Sequence, residues 1–254
     1  MSRMPTFRNW CVGALVTFAV LLTPTQALAQ KSDWPSPIHD NRTFWFLLFD
    51  QLEFASVSGA QPVVWDVEGW WGGDYNRIWL KLEGERATRG GDGDIQVQGL
   101  YSRLIAPYWD FQAGVRYDRK LGPGPGLARA HLVLGLQGLA PYWFELEPAL
   151  FISQDGDVSA RVNASYDMLL TQRLILQPWV EINLAAQTVK EWGVGSGLND
   201  ISVELRLRYE LRREFAPYVG VSWFQRVGRT ADLAKSEGNR VVELAVLGGF
   251  RIWF

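Results

Sequence analysis

The sequence predicts an all-β protein, an antiparallel transmembrane β-barrel of about twelve strands behind a cleaved signal peptide. Three observations predict it. The chain opens like an export signal, its body alternates apolar and polar residues in segments of about ten, and it closes on Phe254.

The export signal comes first in the chain. Arg3 and Arg8 supply a positive start, Trp10 to Leu22 an apolar run, and Ala27-Leu28-Ala29 an Ala-x-Ala cleavage site before Gln30. That is the layout of a secretory signal peptide. The run of about 13 apolar residues falls short of the roughly 20 that a membrane-spanning helix needs. Cys11 lies inside it without the small neighbours of a lipoprotein cleavage site, so no acylation is expected. Residues 1–29 are thus read as signal peptide. Residues 30–42 carry Asp33, Pro35, Pro37, Asp40 and Asn41 and read as a short mobile periplasmic segment, with the barrel over 43–254.

Cleavage would remove Arg3 and Arg8 and no acid. It leaves 23 Lys and Arg against 27 Asp and Glu, a formal net charge of −4. That balance carries no electrostatic footprint for nucleic acid. The mature chain keeps no cysteine, so neither a disulfide nor a thiolate is available. Mean hydropathy is near zero although the whole chain holds 13 Trp. Such a balance suits a barrel with an apolar lipid face and a polar lumen.

From about residue 43 the hydrophobic period is two. In the last segment Val242, Leu244, Val246, Gly248, Phe250, Ile252 and Phe254 share one face, and Glu243, Ala245, Leu247, Gly249, Arg251 and Trp253 the other. At 201–211 Ile201, Val203, Leu205, Leu207, Tyr209 and Leu211 alternate with Ser202, Glu204, Arg206, Arg208 and Glu210. The same reading places strands near 43–54, 63–71, 75–87, 94–105, 108–119, 128–139, 142–152, 158–169, 174–187, 200–212, 217–228 and 240–254.

The connections alternate in length. Gly72-Gly73-Asp74, Ala106-Pro107, Ala140-Pro141, Thr171-Gln172 and Arg212 to Pro217 are tight. Between them fall longer or glycine-rich stretches at 55–62, 88–93, 122–126, 154–157, 188–199 and 229–239. An even-stranded barrel with both termini in the periplasm has short turns on that side and longer loops outside. On the tight side Ala106-Pro107-Tyr108, Ala140-Pro141-Tyr142 and Ala216-Pro217-Tyr218 repeat one word. Proline suits a first strand residue. With Trp109 and Trp143, the three tyrosines are expected in an aromatic girdle at headgroup level. Gly249, Ile252 and Phe254 fit the C-terminal signal that barrel-assembly machinery reads. That machinery and outer-membrane lipid are therefore expected partners, and the outer membrane of a Gram-negative bacterium the expected location.

If apolar residues face lipid, their alternates fill the lumen. The candidates are Asp66, Glu68, Arg77, Lys81, Glu83, Glu85, Arg116, Asp118, Arg206, Arg208 and Glu210, with both signs of charge mixed. Such charges either pair across the lumen and plug it or line a narrow wet path. Metal ligands are scarce. His39 lies before the barrel, His131 is expected to face the lumen, and Met168 falls on the lipid side. An outer-membrane hydrolase would need a Ser/His pair on the lipid face. His131 points the other way by parity, so no enzyme is expected.

Residues 47–85 carry a likeness. Leu48-Phe49-Asp50-Gln51-Leu52-Glu53 is followed by Trp65-Asp66-Val67-Glu68-Gly69-Trp70. Then comes Gly72-Gly73-Asp74-Tyr75-Asn76-Arg77-Ile78-Trp79-Leu80-Lys81-Leu82-Glu83-Gly84-Glu85. Further on, residues 109–118 and 206–210 continue it. The chain resembles the copper resistance protein B family of outer-membrane proteins, over most of its mature length. The resemblance implies a barrel in a copper-tolerance system that binds or passes copper ions and works with periplasmic copper proteins. Members often carry a Met- and His-rich stretch before the barrel, with soft ligands that suit copper. Here residues 30–42 hold only His39 and no methionine, which leaves the barrel with its acidic and basic lumen residues. The alternative is a narrow channel for another small polar solute, or a plugged structural barrel.

Overall fold

The computed structural model describes residues 42–56, 62–88, 91–122 and 126–254. The expected signal peptide, nearly all of the 30–42 segment with His39, and parts of three long loops lie outside them.

The strands are β1 (Phe44–Ser56), β2 (Pro62–Gly72), β3 (Asn76–Ala87), β4 (Gly93–Ala106), β5 (Trp109–Leu121), β6 (Ala128–Ala140) and β7 (Phe144–Ser153). They continue as β8 (Val158–Ser165), β9 (Met168–Leu169), β10 (Leu174–Ala185), β11 (Gly197–Tyr209), β12 (Phe215–Arg226) and β13 (Val242–Trp253). Each pairs antiparallel with its chain neighbour, and β13 returns to β1, so the sheet closes. Closure leaves no free edge, which is how a sheet satisfies its backbone inside a bilayer. The two short strands β8 and β9 share one place beside β10, which makes twelve staves.

The expected strand at 158–169 is broken because of its partner. Tyr166 and Asp167 stand opposite Pro178 and Gln177, between the pairs Ser165↔Trp179 and Met168↔Leu176. Pro178 has no N–H to give to the ladder, so pairing lapses there. Asp167 uses the gap to accept a hydrogen bond from Arg208 at 2.6 Å.

The outer surface is apolar. Ile78, Leu80, Val115, Leu132, Val219, Leu244 and Val246 are all exposed on it. The start of β1, the C-terminal Phe254 and the tight turns lie at one rim, here the turn end. There Phe254 donates its N–H to Leu47 O at 2.9 Å. The longer connections and the one α-helix described, α1 (Gly228–Ser236), lie at the opposite rim, the loop end.

Two of the three repeated words fall in turns, as expected. Tyr108, Tyr142 and Trp143 project outward in left-handed backbone (φ 68°, 70° and 67°), and the rings of Tyr108 and Trp143 meet edge to face. The third does not. β12 already begins at Phe215, so Ala216-Pro217-Tyr218 is strand and not turn. Parity then sends Tyr218 into the lumen, where it is 5% exposed and donates its hydroxyl to Glu53 Oε2 at 2.9 Å. Tyr218 is therefore no part of a girdle.

Candidate functional site

The lumen is divided lengthwise. On the side of β3 to β7, apolar residues of the inner face pack together. Trp79, Leu100, Val133 and Phe151 form a buried cluster, with Trp70 and Ala149 against it. Above it Arg116 lies over the Phe151 ring at 4.5 Å and grips Asp118 with two hydrogen bonds of 2.6 and 2.9 Å. His131 meets the same ring edge-on, with Nδ1 3.7 Å from Asp118 Oδ2. It does face inward, as parity requires, but it is buried in this packed half between the arginines and away from open space.

Two ion pairs cross the lumen and wall off this half. Lys81 of β3 donates to Glu147 of β7 at 2.8 Å. Arg161 of β8 donates to Glu83 of β3 at 2.8 Å and to Gln96 of β4 at 3.0 Å. Glu147 also accepts from Gln137 at 2.7 Å, so its oxygens are satisfied from both sides. Charge-assisted bonds of this kind are among the stronger ones in proteins.

Beyond that wall lies a cavity of about 660 Å³. Its lining runs from Glu145, Asp167 and Arg251 near the turn end to Glu85, Asp94 and Glu243 near the loop end. Among the described residues, fourteen carboxyl side chains face it against three cations, Lys81, Arg226 and Arg251. The expected mixture of charges is thus sorted in space. Arg116 and Arg129 lie in the packed half and Arg161 in the wall, while Arg206 and Arg208 of β11 are tied up by carboxyl groups. Arg206 is held by Glu204, with Asp50 3.8 Å away, and Arg208 by Asp167.

Two carboxyl pairs on the cavity wall stand in direct cross-strand register. Asp66 faces Glu83 across β2 and β3, and Glu85 faces Asp94 across β3 and β4. Like charges directly opposite are destabilising. Glu83 is compensated by Arg161. Asp66, Glu85 and Asp94 make no ion pair or hydrogen bond with any described residue.

Of the sequence-predicted lumen residues, Asp66, Glu68, Lys81, Glu83 and Glu85 therefore come together on one wall. The others serve elsewhere. Arg116 and Asp118 belong to the packed half, and Glu210 lies beyond the end of β11. Arg77 turns to the rim, bonding Asp110 at 3.2 Å and the carbonyls of Gly73 and Asp74 at 3.3 and 3.2 Å. Arg77 thus clips the Gly72-Gly73-Asp74 turn shut, and Asn76 accepts a 2.6 Å bond from the Tyr101 hydroxyl. A Cβ at Gly72 would run into the Asn76 carbonyl and sit 2.7 Å from Arg77 Cα, so only glycine fits. The specific turn word is structural.

Sequence parity missed Asp50 and Glu53. A bulge at Asp50–Gln51 shifts the register of β1 against both neighbours. Leu48 faces inward before it, and Gln51, Glu53 and Ala55 after it. Asp50 then accepts from Arg251 at 2.6 Å. The adjacent polar pair Asp50-Gln51 in an alternating strand was the available signal.

At the loop end the stretch between β10 and β11 reaches across the mouth. Trp192 lies under Lys120 of β5 and Arg129 of β6, with ring distances of 5.2 and 4.5 Å, and its carbonyl accepts from Lys120 Nζ at 3.0 Å. Helix α1 braces the same stretch, since Thr230 Oγ1 accepts the Gly195 N–H at 2.9 Å. Among the described residues, no three His, Cys, Asp or Glu side chains converge as a metal-ligand set.

Known proteins were compared with this arrangement. Residues 43–254 match the family model described as copper resistance protein B precursor (CopB). The chain is 46% identical over 217 residues to copper resistance protein B of Escherichia coli, covering 85% of this chain and 72% of that one. It is 39% identical over the same length and shares to the copper resistance protein B homolog of Pseudomonas syringae pv. tomato (strain ATCC BAA-871 / DC3000). Among solved structures the NanC porin superposes with a TM-score of 0.54 at 12% identity, over 82% of this chain and 99% of that one. That likeness concerns the barrel fold alone. On the family model and both relatives, this chain belongs to the copper resistance protein B family.

Proposed function

We propose that this barrel lies in the outer membrane, turn end toward the periplasm, and admits copper as Cu²⁺ along the acidic wall of its lumen. The observation that carries the reading is the set of fourteen carboxyl groups that, among the described residues, line one cavity running between the rims, against three cations. The family membership supports a role in copper resistance. The orientation follows from the short turns, the start of β1 and Phe254 at one rim and the longer connections at the other.

The donor chemistry supports Cu²⁺ in transit. The lining offers carboxylate and amide oxygens and no sulfur, and soft thioether or thiolate ligands are what Cu(I) selects. Met168, the one methionine beyond residue 4, lies on the outer surface. A low-dielectric wall of one sign concentrates counter-ions and speeds their entry. The unpaired Asp66, Glu85 and Asp94 supply that field. Periplasmic copper proteins would receive the ion at the turn end.

The test is a deletion strain carrying either the wild-type barrel or Asp66→Asn/Glu85→Gln/Asp94→Asn. Copper tolerance and periplasmic copper are expected to change on deletion, and the triple variant to restore them only in part. Unchanged tolerance and unchanged periplasmic copper in the deletion strain would sink the reading. A plugged, structural barrel is the second reading, favoured by the Trp192 strap across the loop end. Steady conductance of the purified barrel in a planar bilayer argues against it.

A further inference from the structure

We infer that Lys81 is the selectivity-setting charge of the lumen, a tethered cation at mid-height that limits how readily free cations pass along the acidic wall. The inference rests on the cation-path reading above.

Three features single it out. First comes place. Among the described residues, Arg226 and Arg251 stand at the two rims, and Lys81 is the only cation lining the cavity between them. Second comes bonding. Its ammonium lies 2.8 Å from Glu147 and 3.9 Å from Glu68, two carboxyl groups from different walls of the barrel. It therefore occupies, on a four-carbon stem, the space between acids that a passing cation would otherwise share. Third comes support. The ammonium lies 5.6 Å from the centre of the Trp79 ring, and Trp79 is locked in the packed cluster. That contact favours the ammonium in this position.

Its neighbours make the position costly for a second positive ion. On the packed side Arg161 already satisfies Glu83, and Gln137 half-satisfies Glu147. Glu68 has no other ion pair or hydrogen bond among the described residues. A mobile cation reaching this level meets a fixed positive charge a few ångströms away. At the effective dielectric of protein sites, unit charges about 4 Å apart interact strongly enough to dominate a barrier. Removing the charge while keeping the stem would leave Glu68 and Glu147 free to attract cations.

The experiment is single-channel recording of the purified barrel in a planar bilayer under a KCl gradient. It compares wild type, Lys81→Met, Lys81→Arg and Glu147→Gln, each checked for assembly by heat-modifiable gel mobility. Lys81→Met is expected to raise potassium conductance about fivefold and to move the reversal potential further toward the cation limit. Lys81→Arg is expected to bring conductance back down. Glu147→Gln breaks the same bridge but keeps the cation, and it is expected to give no rise. Equal rises in Lys81→Met and Glu147→Gln would assign the effect to the bridge and overturn the inference. So would an assembled Lys81→Met barrel that conducts like wild type or stays silent. Lys81→Gln serves in the same way if the Met variant does not assemble. An anion-selective wild type would instead overturn the acidic-path reading, whatever Lys81→Met does.

Discussion

Glu85 of β3 and Asp94 of β4 stand directly opposite each other on the wall of the cavity, and neither has an ion-pair partner among the described residues. A sheet chosen for stability alone would place opposite charges there. Here the like-charged pair is retained where it faces the open lumen, and under the proposed function it would act on mobile cations.

Stability and transport should therefore part company at this pair. Glu85→Gln is expected to stabilise the barrel by about 0.5 kcal/mol, the scale of a cross-strand pair. The same change should lower cation selectivity. Thermal unfolding in detergent and reversal potentials under a salt gradient check the two halves. A variant that is both less stable and equally selective contradicts the account.

Tyr218 and Glu53 form the opposite case. Glu53 is buried, and its carboxyl accepts the Tyr218 hydroxyl. Tyr218→Phe leaves a buried acceptor without that partner, at a cost of about 1–3 kcal/mol. The barrel should then unfold at lower denaturant concentration, with its conductance little altered.

The Gly-Gly turn makes a paired prediction. Gly72→Ala forces a methyl group against the backbone of Asn76 and Arg77 and should sharply reduce the yield of assembled barrel. At Gly73 the nearest atom to an added Cβ, Arg42 O, is 3.7 Å away, so Gly73→Ala should assemble normally. Comparing the heat-modifiable fraction of the two on gels decides it.

At the loop end, Trp192→Ala removes the ring that Lys120 and Arg129 both cover. The strap should loosen, and the mouth should open more often. Longer open times in bilayer recordings are expected, with the reversal potential unchanged because the carboxyl wall is untouched. Identical open times would show that the strap does not limit entry.

Much of this was legible in the sequence, and the parts that were not have identifiable causes. Parity along β3 placed Arg77, Lys81, Glu83 and Glu85 on the inner face, because a strand alternates strictly until something breaks it. It failed at Asp50–Gln51, where one bulge reverses the alternation and brings Asp50 and Glu53 inside together. It also failed at Tyr218, where a word that ends a turn at two other places falls inside a strand. The likeness in the Gly72–Arg77 word pointed to the right family, yet that word clips a turn and touches no cavity.

By itself the sequence determined the period of two, the tight turns alternating with longer loops, the twelve staves and the family. Each is written in residues close together in the chain, where local geometry suffices. Only the tertiary structure decided which inner-facing charges meet. Lys81 reaches Glu147 and Arg161 reaches Glu83 because closure brings distant staves within side-chain reach across the lumen. No local pattern encodes those distances. The same closure gathers the apolar inner residues against one wall and leaves the unpaired carboxyl groups facing open space on the other, which turns a mixed list of charges into an acidic cavity lining.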